Sequence, residues 1–539
     1  MVDILLIQPP LADFYHTAKR TIPYGLASIA AAVTRQGYTA SILDCLATRK
    51  SRPGTLPEGM GHLNRYYGRP DRSPTALFHH FRHYGYSFEH IGRQVKESGA
   101  FLVGISSLFT AYSQIALEVA RIVKKQLPAA TVVLGGHHPT ALPEAVMAEP
   151  AVDVVLRGEG EDGLPALARA LRTGSPLCDV PGIVFRRSDG SLYISDPCVV
   201  HDADRLPVPA HDLIRRPFYQ RSGRDSVVVT ASRGCPMGCS YCATGVQSGL
   251  PFRRRSVTAV LQEIRAAARD RRVGLIDFED ENLTMNRSWF MALMDGIRSI
   301  FGVDLPELRA MNGLFPPSLT AEVVRVMGSS GFRTLNLSLG SADAAQLKRF
   351  NRPDVRAAFD QALGHARDTG MSAVGYIIVG APEQDPFVSV DDLLFLARRP
   401  VLAGVSVYYP APGSPDYRLC ERLGVLPPSF ECMRSTALPI RHRTTRTDSV
   451  TLLRLGRLLN FIKALMADGL PFPRAVPMAR VVDPSLDRQE IGMRIVAAFL
   501  ADGIIRGVEP DGTVYAHRVS EKLCRRFLDG LRAGSVLAT

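Results

Sequence analysis

An α/β fold in three parts is what this sequence predicts. Short β-branched runs alternate with helical patterns in two separate series, one before residue 172 and one after residue 221. Such alternation implies parallel strands with helical crossovers. Beyond residue 426 the strand runs thin out and leucines recur at helical spacing. The expected parts are an N-terminal domain over 1–172, a bridge over 173–220, a second α/β domain over 221–425 and a mostly helical C-terminal domain over 426–539.

The first series has strands "DILLIQ" (3–8), "TASILD" (39–44), "FLVGIS" (101–106), "ATVVLG" (130–135) and "VDVVLR" (152–157), with helical stretches such as 24–36 and 112–126. This predicts a doubly wound, Rossmann-like parallel sheet. Residues 46–86 are rich in Arg, His, Pro and Gly and read as an insertion over the carboxyl ends of the strands, where such sheets bind ligands. In the bridge, two short strands (183–187 and 191–195) flank "SDG", a hairpin signal. The second series runs "SVVVTA" (226–231), "VGLIDF" (273–278), "ELRAMN" (307–312), "TLNLSL" (334–339), "AVGYIIVG" (373–380) and "AGVSVYY" (403–409). Six such units predict a partial (β/α)6 barrel with its chemistry at the carboxyl ends of the strands. In the tail, leucines over 448–467 predict a helix whose pattern reads as core, and 491–532 reads helix, two short strands around "PDG", helix.

Composition narrows the classes. The 539 residues are 46% hydrophobic and 22% charged, as in globular proteins. No apolar run approaches the ~18 residues of a membrane span. The start, "MVDILLIQPP", reads as a strand and not as a signal peptide, so a cytoplasmic location is expected. The net charge of +12 is spread along the chain with no basic tail or aromatic–basic repeat, so no nucleic-acid partner is expected. An odd total of nine cysteines argues against a disulfide framework.

Three of those cysteines stand together. "SRGCPMGCSYCATG" (232–245) holds Cys235, Cys239 and Cys242 at spacing C-x3-C-x2-C, right after the first strand of the second series. Iron–sulfur clusters and structural zinc sites are usually closed by four ligands. No further Cys or His follows until His365. Three thiolates leave one position open for an exogenous molecule, which is what a catalytic metal centre needs.

That loop, with an aromatic residue (Tyr241) before its last cysteine, resembles the radical S-adenosylmethionine (SAM) superfamily. The resemblance implies that Cys235, Cys239 and Cys242 hold three irons of a [4Fe-4S] cluster and that SAM chelates the fourth. "DFEDENLT" after the second strand resembles the "F-x-D-D-x-F" variant of the cobalamin-dependent branch. Among Glu279, Asp280 and Glu281, it implies Asp280 as the SAM contact. "LSLGSAD" after the fourth strand departs from the branch's "G-x-E-S-G": Gly340 replaces the Glu, while Ser341 stays as a SAM contact. "IIVGAPE" is similar to the adenine-lining "I-x-G-x-x-E" element, through Ile378, Gly380 and Glu383. "YYPAPGSP" (408–415) matches the branch's sixth-strand loop.

The first domain lacks G-x-G-x-x-G after its first strand, which argues against a dinucleotide. Its strand ends are similar to those of cobalamin-binding domains: "QPP" with Pro10, "GISSLFT" with Ser106 and Leu108, "VLGGHHPT" with Gly135 and Gly136, and "RGEGE" with Glu159. Small residues there would let backbone approach the corrin closely. Where many cobalamin domains carry the cobalt-ligating His of D-x-H-x-x-G, this chain has Asp44-Cys45-Leu46, and Leu46 cannot coordinate. His79, His80, His83, His137 and His138 are expected to be structural. The resemblance covers residues 1 to roughly 425.

It implies an enzyme with three cofactors, a [4Fe-4S] cluster, SAM and cobalamin. An electron from the cluster cleaves SAM to a deoxyadenosyl radical, which takes hydrogen from an unactivated carbon of a small-molecule substrate, and methylcobalamin then delivers a methyl group. A low-potential donor of flavodoxin or ferredoxin type would reduce the cluster. Two alternatives stand beside the methyltransferase: a cyclase or rearrangement enzyme without net methyl transfer, and a non-catalytic cobalamin sensor.

Overall fold

The computed structural model describes residues 1–14, 21–78, 80–244 and 249–533. His79, Gly245 at the end of the cysteine stretch, and residues 246–248 lie outside them. The first sheet contains β1 (Ile4–Gln8), β2 (Ala40–Asp44), β3 (Leu102–Ser106), β4 (Thr131–Gly135), β5 (Val154–Leu156), β6 (Ile183–Arg186) and β7 (Leu192–Ile194). Their order is β7-β6-β5-β4-β3-β1-β2, parallel from β2 through β5. β1 is buried along its whole length, as a strand covered on both faces should be. Helices Tyr24–Thr34 and Gly160–Thr173 pack on one face, and helices Phe88–Ser98 and Ser113–Gln126 on the other. The chain leaves β1 toward β2 on one side and returns to β3 on the other, which makes the β1/β3 boundary the switch point.

The hairpin expected within the bridge adds to this sheet. β6 pairs antiparallel with β5, Val154 opposite Phe185, and β7 follows at the edge. Its residues are apolar enough to extend the sheet, and an edge strand leaves a row of backbone groups to be paired.

The barrel strands are β8 (Arg224–Val229), β9 (Val273–Phe278), β10 (Glu307–Ala310), β11 (Thr334–Gly340), β12 (Ser372–Val379) and β13 (Leu402–Val407). They form two parallel arcs, β8-β9-β10 and β11-β12-β13. Leu314 joins the arcs, donating from its N–H to Asn336 O at 2.6 Å and accepting from Ser338 N–H at 3.0 Å. Among the described residues no ladder links β8 to β13, so the barrel is open there. Val227, Val229, Ile276, Phe278, Leu335 and Leu337 face the surrounding helices. By alternation, Asp277, Arg309, Asn336, Ser338 and Tyr376 face the interior.

The tail and the barrel share one core. Leu452, Leu455, Leu458, Leu459 and Ile462 of the helix Arg446–Ala467 are buried in it, with Phe499 and Phe527 of the two later helices. The insertion joins the same core through Met60, Leu63, Tyr67 and Leu77. Its polar groups also reach the tail: Tyr66 bonds the Thr447 hydroxyl at 3.0 Å, His62 Nε2 meets Ala437 O at 2.8 Å, and Arg454 donates to Thr75 O at 2.8 Å. Insertion and tail thus dock on each other beside the carboxyl ends of the first sheet. No helix among the described residues is long and apolar enough to cross a membrane.

Two buried imidazoles make stability depend on pH. Burial pushes His138 and His211 down to about 4 from the ordinary 6.5, with Arg271 adding to the effect at His211. As pH falls below 6.5 the unfolded chain binds these protons and the folded chain does not. Stability is therefore lost through the window from 6.5 to 4, on the order of 2 kcal/mol per ring by pH 5. Urea unfolding at pH 7 and pH 5 checks this, and equal midpoints would contradict it.

Candidate functional site

After β8 the chain pairs Ser232–Arg233 with Arg253–Arg254 and turns into the cysteine loop. Gly234 has φ +75°, and a Cβ there would lie 2.7 Å from Pro251 O, so only glycine fits. The loop is tied to three neighbours. Asn351 donates to Gly238 O at 2.7 Å, and Ser240 N–H to Phe350 O at 3.0 Å, both from the segment after β11. The Ser240 hydroxyl donates to Asp416 at 3.1 Å, while Asp416 N–H donates to Ser240 O at 2.9 Å, at the start of the helix after β13. Cys235 and Cys239 are buried and Cys242 is half-buried.

Each sulfur accepts an N–H from a neighbour. Asn282 Nδ2 reaches Cys235 Sγ at 3.0 Å, Thr244 N reaches Cys242 Sγ at 3.3 Å, and Arg352 Nη1 reaches Cys239 Sγ at 3.7 Å. Burial pushes the Cys235 thiol up to about 11 and raises Cys242 as well. Three N–H donors, one of them a guanidinium, suit thiolates and the negative charge of a reduced cluster. Among the described residues no three His, Cys, Asp or Glu side chains form a group for a metal ion. A cubane instead takes one thiolate at each of three corners, and this donor set fits it.

Of the residues expected to contact SAM, Tyr241 lies in this loop and the others stand at the carboxyl ends of β9, β11 and β12. Tyr241 accepts from Arg352 Nη1 at 2.8 Å, sets its ring edge on Phe350 at 5.1 Å, and shares an apolar cluster with Ile378. Gly380 has φ +74°, and its carbonyl meets His442 Nε2 at 3.3 Å. Asp280 is turned under the loop. One oxygen accepts from Ala231 N–H at 3.0 Å and the other from the Ser232 hydroxyl. Burial raises its carboxyl to about 6. Its neighbour Glu281 is half-buried beside the thiols, raised to about 7 by burial and by Asp280 and Glu279. Ser341 is fully buried, and its hydroxyl donates to Asp392 at 2.9 Å. Burial lifts Asp392 to about 7.

At the carboxyl ends of the first sheet, Ser106 ends β3 beside Gly135 of β4. Leu108 and Phe109 follow, 42% and 54% exposed, as an open apolar step. Gly136 has φ +121°, and a Cβ there would lie 2.6 Å from Ser107 O. The close approach that demands this glycine is between two protein loops. Pro10 is buried, with Gly85 of the insertion seated against it. Leu46 packs with Leu11, Tyr84 and Tyr112. His138 is buried, near Thr110 Oγ1 at 3.2 Å and edge-on to Phe430 of the tail, while His137 is exposed. His83 is buried at Tyr86 O and His80 is exposed. Glu159 points to the barrel, bonded to Arg233 and Arg253.

Sequence reasoning passed over Asn282, Arg352, Asp392, Arg233 and Arg253. Asn282 lay within the acidic stretch already singled out, and Arg233 within the cysteine stretch. Arg352 opens "RPDVRAAFDQAL", a stretch similar to the branch but with no role read for the arginine, and Asp392 carries no motif; the fold brings both to the site.

Family models match this chain in two places: "B12 binding domain" over residues 76–168 and "Radical SAM superfamily" over residues 229–392. An uncharacterized methyltransferase of Pyrococcus horikoshii is 28% identical over 304 residues, spanning 55% of this chain but only 64% of its own length. The cytidylyl-2-hydroxyethylphosphonate methyltransferase of Streptomyces wedmorensis is 26% identical over 80% of this chain and 84% of its own. The anaerobic magnesium-protoporphyrin IX monomethyl ester cyclase of Cereibacter sphaeroides is 25% identical over 62% of this chain and 55% of its own. Among solved structures, the radical SAM methyltransferase TsrM of Kitasatospora setae, with cobalamin and a [4Fe-4S] cluster bound, superposes with a TM-score of 0.58 at 16% identity, covering 78% of this chain and 75% of that one. The cobalamin-dependent radical enzyme OxsB with aqua-cobalamin superposes with a TM-score of 0.58 at 14% identity, covering 91% and 64%. At such identities these structures share the fold.

Proposed function

We propose that this chain, a radical SAM protein with an N-terminal B12-binding domain, is a cobalamin-dependent methyltransferase acting on an unactivated carbon of a small molecule. The observation that carries this reading is the three-thiol loop, each sulfur with its own N–H donor, held at the end of β8 and against the first domain. When bound, the cluster supplies the electron that splits SAM, and cobalamin supplies the methyl group. Cys235, Cys239 and Cys242 would hold the cluster, with Tyr241, Asp280, Ser341, Ile378 and Gly380 around the SAM site. Asp280 acts by fixing the start of the loop. Ser106, Leu108, Gly135 and Gly136 would border cobalamin, with Leu108 and Phe109 offering apolar surface to the corrin. Asn336 accepts from the Tyr376 hydroxyl at 3.1 Å, and Arg309 pairs with Asp277, giving the barrel interior polar groups to orient substrate. Insertion and tail, closed on each other, would keep water from the radical. A low-potential donor of flavodoxin or ferredoxin type and a cytoplasmic location complete the reading.

The test is anaerobic reconstitution with iron, sulfide and cobalamin, followed by SAM and dithionite. Mass spectrometry should find both 5′-deoxyadenosine and S-adenosylhomocysteine, the second only when cobalamin is present. Neither product from a fully loaded, reducible protein would overturn the enzyme reading and favour a sensor. The likeness to the ester cyclase supports a second reading, cyclisation or rearrangement without methyl transfer. It predicts deoxyadenosine alone.

A further inference from the structure

The loop after β5, "RGEGE", meets the cysteine loop through four charged side chains. Arg233, two residues before Cys235, donates from Nη1 to Glu159 Oε1 at 3.1 Å and to Glu161 Oε2 at 3.3 Å, and also bonds Glu161 from Nη2. Arg253, opposite Arg233 in the short strand pair, donates from Nη1 to Glu159 Oε2 at 2.6 Å and to Val200 O at 2.7 Å. Val200 N–H also bonds Glu159 Oε2, and the Ser28 hydroxyl donates to Glu161 at 2.7 Å. The four side chains are 6–19% exposed. Two carboxylates against two guanidiniums leave the network neutral. Removing one member strands a buried charge, so the network holds as a unit. Both oxygens of Glu159 are occupied by the barrel domain's arginines and by Val200.

We infer that Glu159, with Glu161, Arg233 and Arg253, is a clamp that fixes the cysteine loop onto the B12-binding domain, so that Glu159 is a positioning residue and not a cobalamin contact. The physical need is geometric. Two cofactors on separate domains must face each other at one spacing, and the helix and hairpin that follow β5 belong to the first domain, so contacts across the domain boundary must set it. An ion-pair network at the base of the cysteine loop can, because guanidinium–carboxylate geometry is directional.

The inference rests on the proposed function, since it needs cobalamin and cluster in one protein. The experiment compares wild type with Glu159→Gln, which keeps the shape and removes the charge, and with Arg253→Met as a second variant. Cobalamin affinity is measured by absorbance titration. The spacing between Co(II) and the reduced cluster is measured by pulsed dipolar EPR. Amide hydrogen exchange over residues 232–242 is measured without cofactors. The expected result is cobalamin affinity within about threefold of wild type, a shifted or broadened metal–cluster distance, and faster exchange in the loop for both variants. Loss of affinity by about tenfold or more in Glu159→Gln at unchanged spacing would overturn the clamp in favour of direct contact. Unchanged affinity, spacing and exchange would overturn it too. A wild-type protein that loads no cobalamin or no cluster would sink the functional reading instead.

Discussion

Replacing Cys239 with alanine is expected to abolish the iron–sulfur cluster and reductive SAM cleavage while leaving the fold in place. Cys239 is buried at the foot of the loop, where Arg352 reaches its sulfur at 3.7 Å. Two thiolates cannot hold a cubane that also gives one iron to SAM. The loop's backbone ties do not involve that sulfur: Asn351 still meets Gly238 O, and Ser240 still bonds Phe350 O and Asp416. The lost sulfur leaves a small cavity, costing about 1 kcal/mol. Bound iron should fall sharply, the cluster's visible absorbance and reduced-state EPR signal should vanish, and deoxyadenosine should drop to background. The melting temperature should move by only a few degrees. Cys432 and Cys524, also buried, serve as controls, since neither is near the loop; their alanine variants should keep the cluster. A Cys239→Ala protein with full iron content and SAM cleavage would remove the basis of the proposed function.

The second large effect is expected at Arg434, in the first part of the tail. Its guanidinium pairs with Asp13 at 3.2 Å and donates to Ala12 O at 2.6 Å and Ala111 O at 3.0 Å. Asp13 also accepts from Tyr112 at 2.6 Å and from Thr436 at 2.9 Å. The two side chains are 8% and 1% exposed, so neither charge is solvated without the other. Arg434→Met should destabilise the protein by about 3–5 kcal/mol, because it strands a buried carboxylate and two carbonyls. Exposed pairs such as Arg526–Asp391 are worth far less, below about 1 kcal/mol. Urea unfolding of both variants makes the comparison. A loss at Arg434→Met no larger than at Arg526→Met would show that the tail is not latched to the first domain there. The latch lies on the short strand Leu11–Asp13, which pairs with Arg82–Tyr84 of the insertion, so its loss should also loosen the closure of tail and insertion over the first sheet.

The sequence by itself determined the architecture. Every strand of both series lies within two residues of its run, because continuous β-branched stretches bounded by turn residues have few other ways to bury themselves. It also determined the three thiols, since ligand spacing within one loop is a local property. Tertiary structure decided where charged side chains end up. Asp280 and Glu159 sit at strand ends where a cofactor is expected, yet both have their oxygens occupied by the chain itself. Arg352 and Asn282 reach the thiols from other strand ends, 113 and 47 residues away along the chain from their sulfurs. The insertion's partner in the tail lies some 380 residues further on. A charge is paired with whatever the fold brings within reach, and sequence spacing carries no record of that. Hydrophobic period and local ligand spacing are written in order along the chain; long-range ion pairs are written only in space.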